Sequence, residues 1–103
     1  MKIANEEAAR LIPVLQALSD PTRLQLFLLL AQGARCVGDL AVGTGIPQPS
    51  VSHHLGLLYT AGLVEKERRG RVIICRVSPT VSVSQVTVEI QVPGGPALAI
   101  TKA

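Results

Sequence analysis

The chain is nearly free of aromatic residues, with one Phe, one Tyr and no Trp among 103 residues. Hydrophobic residues still make up 48% of it, so the core must be aliphatic, built from Leu, Val, Ile and Ala. A chain this short forms one domain around one small core and buries a modest share of its surface alone. Pairing with other copies recovers buried area, so an oligomer is expected. No apolar run reaches the ~18 residues of a membrane-spanning helix. The longest, Leu26–Ala31, has the length of a core helix segment, so no membrane partner is expected. The N-terminus reads MKIANEEAARLIP, with acids where a signal peptide needs an apolar stretch. The expected compartment is the cytoplasm, where the two cysteines, Cys36 and Cys75, are reduced thiols. There is no Ser/His/Asp set, no paired carboxylates and no Gly-rich phosphate loop at usable spacing. The chain does not read as an enzyme.

Charge is unevenly spread. Residues 1–46 hold four basic and four acidic groups, and residues 79–103 hold one of each. Residues 47–78 hold five basic against two acidic groups, so the net charge of +3 sits in that segment alone. It reads PQPSVSHHLGLLYTAGLVEKERRGRVIICRVS. A polar, helix-forming stretch leads to a short apolar stop, a basic tip at Arg68-Arg69-Gly70-Arg71, and a β-branched run. Alone, a basic hairpin tip is most often a solvated turn. Beside a polar helix it becomes a positive field of the kind that holds a phosphate backbone.

Local signals organise the rest. Glu6 to Leu18 fits a first helix, with Leu11, Ile12, Leu15 and Leu18 at helical spacing; Pro13 inside it should kink or split it. Ser19-Asp20-Pro21 is a helix start, because Asp20 can cap free N–H groups and Pro21 suits the first turn. The second helix, Pro21 to Gln32, is apolar on most sides and should be central. Cys36 to Val42 fits a short third helix. A fourth runs from Pro47 to Ala61, with Gly62 just past its end. Leu63–Glu67 and Val72–Val77 pattern as a β-hairpin. From Thr80 to Val92 apolar and polar residues alternate, with one phase slip near Gln85 as at a bulge. Pro93-Gly94-Gly95-Pro96 is a turn, followed by a last strand over Ala97–Thr101.

Several stretches together resemble one family. They are Ala17-Leu18-Ser19-Asp20-Pro21-Thr22-Arg23-Leu24, Cys36-Val37-Gly38-Asp39-Leu40-Ala41, Val51-Ser52-His53-His54-Leu55, Ala61-Gly62-Leu63-Val64 and Gly70-Arg71. In order and spacing they resemble the ArsR/SmtB repressors, over about residues 8 to 77. The resemblance implies an α+β, mostly α fold: a winged helix-turn-helix with a β-hairpin wing. It implies a dimeric transcriptional repressor whose fourth helix, 47–61, enters the major groove of an operator. Gln48, Ser50, Ser52 and His53 fall at the recognition positions, where short polar groups suit base edges or phosphates. The wing, 63–77, would lie along the backbone, with Lys66, Arg68, Arg69 and Arg71 supplying charge. His53 and His54 diverge by about 100° on a helix, so one His toward DNA and one packed locally is the expected arrangement.

The chain departs from the family in two places. Family metal sensors carry a Cys-x-Cys pair at the start of the third helix; Cys36 matches the first thiolate and Gly38 replaces the second. A second family site uses His and Asp on a C-terminal helix. This chain has no His after His54 and no Asp after Asp39, and its C-terminus patterns as strand. No cofactor is expected, and a metal ion only as an outside alternative. Residues 1–78 thus read as the DNA-binding unit and 79–103 as a β-rich extension in place of the last family helix. That extension is expected to form a hairpin that builds the dimer with the first helix. Two alternatives stand beside this reading. One is a thiol or metal sensor using Cys36 and Cys75, although Cys75 reads better as a buried structural thiol. The other is a protein-interaction module on the same scaffold without DNA binding.

Overall fold

The computed structural model describes residues 2–83, 87–92, 94 and 96–101. Its elements are α1 (Lys2–Leu18), α2 (Pro21–Ala31), β1 (Arg35–Cys36), α3 (Val37–Thr44), α4 (Gln48–Thr60), β2 (Val64–Arg69), β3 (Val72–Val77), β4 (Val81–Val83), β5 (Thr87–Gln91) and β6 (Ala97–Thr101). This is a winged helix-turn-helix carrying an added sheet.

The helix boundaries follow local chemistry. Asp20 is extended, and its Oδ2 accepts the Arg23 N–H at 3.0 Å, with Pro21 in the first turn. The apolar residues of α2 then point inward on several sides: Leu26 and Phe27 are fully buried and Leu30 nearly so. This helix packs against α1, α4 and β3, the central place expected of it. At the end of α4, Leu63 N–H reaches Leu58 O and Gly62 N–H reaches Tyr59 O. Gly62 has φ +78, so α4 closes in a Schellman motif that only glycine forms without strain.

Some expectations fail. Pro13 does not split the first helix, which runs unbroken from Lys2 to Leu18 and begins before Glu6. The proline lies on the exposed side of the helix, which runs through it despite the hydrogen bond its missing N–H cannot make. The third helix begins after Cys36, which pairs in β1 with β3. Arg68 and Arg69 lie in β2 and leave only Gly70 and Arg71 as the turn.

Two antiparallel sheets result, ordered β1-β3-β2 and β4-β5-β6. The C-terminal alternation forms β4 and β5 as antiparallel partners, with Val81 opposite Ile90, and β6 then adds to β5. The extension is therefore a three-stranded meander rather than a hairpin. The phase slip near Gln85 lies outside the described residues, as do Pro93 and Gly95 of the predicted turn. Val81, Val88, Ile90 and Val92 join one core with Val14 and Ala17 of α1. Arg10 of α1 donates to Gly94 O. Ser78, where the chain leaves β3 for the second sheet, is held at the base of the wing hairpin, its Oγ donating to Gly62 O at 2.6 Å and its N–H to Leu63 O at 2.9 Å.

Candidate nucleic-acid interface

One side of α4 is spent on the core, where Val51, Leu55 and Leu58 are buried. At about 100° per residue, His53 points directly away from that side. Gln48, Ser52 and His53 are exposed, and Ser50 is half-buried. Gln48 and Ser52, one turn apart, flank the helix toward the wing; His54 flanks it toward α2.

His54 is packed. Arg23 Nη1 lies 3.3 Å from its Nδ1, and Arg23 Nε donates to Ala17 O at 2.7 Å. Asp20 Oδ2 also lies 3.9 Å from the same Nδ1. A guanidinium can only donate, so the shorter contact is a hydrogen bond when Nδ1 accepts. Asp20 is occupied elsewhere: the Arg23 N–H, more than the nearby Arg23 charge, holds its carboxyl below the usual range. His54 thus joins α4 to α2, and His53 alone of the pair faces outward.

The wing turns through Gly70 and Arg71, with Arg69 paired to Val72. Gly70 has φ +62 and Arg71, like every other non-glycine among the described residues, does not take positive φ, the pattern of a type II′ hairpin turn. Residues opposite each other in an antiparallel pair share a face. Lys66 and Arg68 therefore share the face of Cys75 and Ile73, while Glu65, Glu67 and Arg69 share that of Arg76, Ile74 and Val72. Lys66 Nζ sits 4.7 Å from the centre of the Tyr59 ring, which ties β2 to α4 by a cation–π contact.

On the other face Glu67 accepts from Arg76 at 2.7 Å and pairs with Arg69 at 3.1 Å. The Arg76 hydrogen bond, then that of Arg69, holds the Glu67 carboxyl below its ordinary range. Glu67 in turn raises Arg76. Arg69 and Arg76 are thus partly neutralised, whereas Arg68 and Arg71 are exposed and carry no ion pair among the described residues.

Helix and wing meet in a cleft of about 190 Å³ lined by Cys36, Val37, Gly38, Gln48, Ser52, Arg71, Val72 and Ile73. Of the eight predicted DNA contacts, the fold gathers Gln48, Ser52 and Arg71 around that cleft. Ser50 and His53 lie outside it on α4, Arg68 stands beside the tip, and Lys66 is engaged by Tyr59 of α4 and Arg69 by Glu67 within the wing. The sequence reading missed the Glu67 clamp. Strand alternation carried that signal, since it puts Glu67 and Arg69 on one face.

The two thiols are kept apart. Cys36 lies opposite Ile74, and Arg35 opposite Cys75, so Cys36 and Cys75 project from opposite faces of the sheet. A disulfide needs its Cβ vectors to converge, so this fold cannot close one without moving β1. Cys75 is fully buried, and burial pushes its thiol pKa up. Cys36 caps α3, its Sγ accepting the Asp39 N–H at 3.4 Å. Among the described residues no three His, Cys, Asp or Glu side chains gather as a metal site.

Comparison with known proteins agrees with this geometry. The family described as "Bacterial regulatory protein, arsR family" matches residues 20–66. The HTH-type transcriptional repressor SmtB of Mycobacterium tuberculosis is 42% identical over 63% of this chain. The match spans about half of that relative, 48% of its length. The transcriptional repressor SdpR of Bacillus subtilis is 40% identical, over 66% of this chain and 76% of SdpR. Among solved structures, the homodimeric winged helix-turn-helix DNA-binding domain Mb0332 of Mycobacterium bovis superposes with a TM-score of 0.65 at 37% identity. That match covers 68% of this chain and 65% of the other.

Proposed function

The chain belongs to the ArsR family of bacterial regulatory proteins, and from that premise we propose that it is a homodimeric, cytoplasmic transcriptional repressor of double-stranded DNA. Residues 1–78 are the DNA-reading unit, and 79–103 support assembly together with α1. In α4, His53, Gln48, Ser50 and Ser52 face the major groove, where short hydrogen-bonding groups read base edges. Arg68 and Arg71 lie against phosphates and supply affinity without sequence choice. Lys66 and Arg69, already engaged by Tyr59 and Glu67, add a weaker background field. The chemistry is recognition rather than catalysis.

One observation carries the proposal. Gln48 and Ser52 of α4 and Arg71 of the wing line one cleft, so a groove edge and its phosphate strand can be met at once. Dimerisation is supported by the half-exposed Ile12 and Leu15 on α1, at 48% and 50%.

The test is selection of duplexes from a randomised pool, followed by anisotropy titration of the selected and random duplexes. The protein should prefer the selected duplex, and His53→Ala should reduce that preference while leaving random-duplex binding nearly intact. Failure to retain any duplex at low salt would favour the protein-interaction reading instead.

A further inference from the structure

The added sheet ends on β6, a five-residue strand reading Ala97-Leu98-Ala99-Ile100-Thr101. One edge of β6 is paired with β5; the other has no strand partner among the described residues. An open edge is a template for another strand, and proteins usually blunt such edges with charge, proline or brevity. The opposite edge of this sheet is blunted, since β4 has three residues. β6 contains no charged residue and no proline. Its Leu98 and Ile100 are only half-buried.

We infer that β6 pairs antiparallel with β6 of a second copy and joins the two three-stranded sheets into one of six strands. The inference rests on the homodimer proposed above and says where one of its seams lies. The occupant is a second copy because the strand complements itself. Opposite residues share a face, so Leu98 and Ile100 must meet Leu98 or Ile100 of the partner. A register centred on Ala99 sets Leu98 against the partner's Ile100 and uses all five residues; a shift of two residues either way loses two of the five pairs. It also continues the apolar rows. The row Val81, Ile90, Leu98 runs into the partner's Ile100 and Val88. Exposed Ala99 then sits on the two-fold axis, where an isologous interface brings a residue against its own copy. No like charges meet along the seam. A strand edge falls short of the ~800 Å² per partner of a stable interface. The exposed stripe of Ile12 and Leu15 on α1, which packs in one core with this sheet, supplies more.

Position-specific cross-linking tests the seam in the full chain with Cys36→Ser, which leaves the buried Cys75 as the remaining native thiol. Ala99→Cys brings two thiols together at the axis, with Cα atoms about 4.5–5.5 Å apart, within disulfide range. Ala97→Cys, equally exposed, places its thiols about 13 Å apart. Mild oxidation should link most of the first variant and at least tenfold less of the second. A second variant, Ala99→Lys, opposes two ammonium groups across the axis. Within each copy it stands opposite Glu89, so the monomer sheet is supported. Light scattering should show dimerisation weakened at least tenfold. A dimeric parent with equal cross-linking at 97 and 99, or with neither linked, overturns the seam and leaves the dimer standing. A parent that is monomeric at micromolar concentration overturns both.

Discussion

Replacing Arg68 and Arg71 together with alanine removes two exposed wing guanidinium groups that no carboxylate holds among the described residues. Each can neutralise one phosphate, and binding loses about 0.9 in the slope of log K against log salt for each phosphate released. A dimer has two wings, so up to about four contacts vanish and the slope should flatten by about 3.6. Between about 50 and 200 mM salt that amounts to roughly two decades less loss of affinity. Arg69→Ala is the internal control. Its guanidinium already pairs with Glu67 at 3.1 Å, so its effect should be less than half that of removing Arg68. Anisotropy titration on a random duplex at four or more salt concentrations gives the slopes, and circular dichroism checks that the variants stay folded. A slope unchanged by the double substitution, or an Arg69→Ala effect equal to that of Arg68→Ala, would refute the division of wing charge argued from the Glu67 clamp.

Other outcomes follow from the same structure. Glu67→Gln removes a negative charge and releases Arg69 and Arg76, so random-duplex affinity measured by anisotropy should rise several-fold. The folded-state pKa of Glu67 is depressed, so its charge is complete above the usual carboxylate range and is lost only as pH falls through the depressed value. The gap between variant and parent should therefore be constant over about pH 6 to 8 and close in acid. Native-state alkylation read by mass spectrometry should modify Cys36 and spare Cys75, and mild oxidation should give no Cys36–Cys75 link; an intrachain disulfide would contradict the strand register. Phe27→Ala should lower stability in urea by about 3–5 kcal/mol, since the ring is fully buried in the central helix; a loss below about 1 kcal/mol would show that α2 is not the core.

What could be read from the chain was whatever short-range chemistry dictates. Asp20-Pro21 and Gly62 fix helix ends through bonds made within a few residues, and both behave as their residue types require. The alternating faces of α4 and the strand pattern after Thr80 were equally local. Long-range pairing was not legible. β1 is two residues long and exists because β3 lies beside it, so nothing in Arg35-Cys36 alone announces a strand. The register that parts Cys36 from Cys75 comes from the same pairing. The expected split at Pro13 did not occur, and the helix runs through it. The resemblance already set His53 apart from His54 at the recognition positions; what the chain did not announce is that Arg23 is the group beside His54.

For the repressor proposed above, the Glu67 clamp also bears on the search for an operator. Every duplex step of a chromosome competes through phosphate charge, and a genome offers on the order of a million or more such sites. A wing with all its guanidinium groups bare would linger on each of them. By holding Arg69 and Arg76 on one carboxylate, the hairpin keeps its rigid shape while lowering its grip on arbitrary sequence. On the proposed function, residence on wrong sites would shorten, and the share of discrimination left to the side chains of α4 would grow.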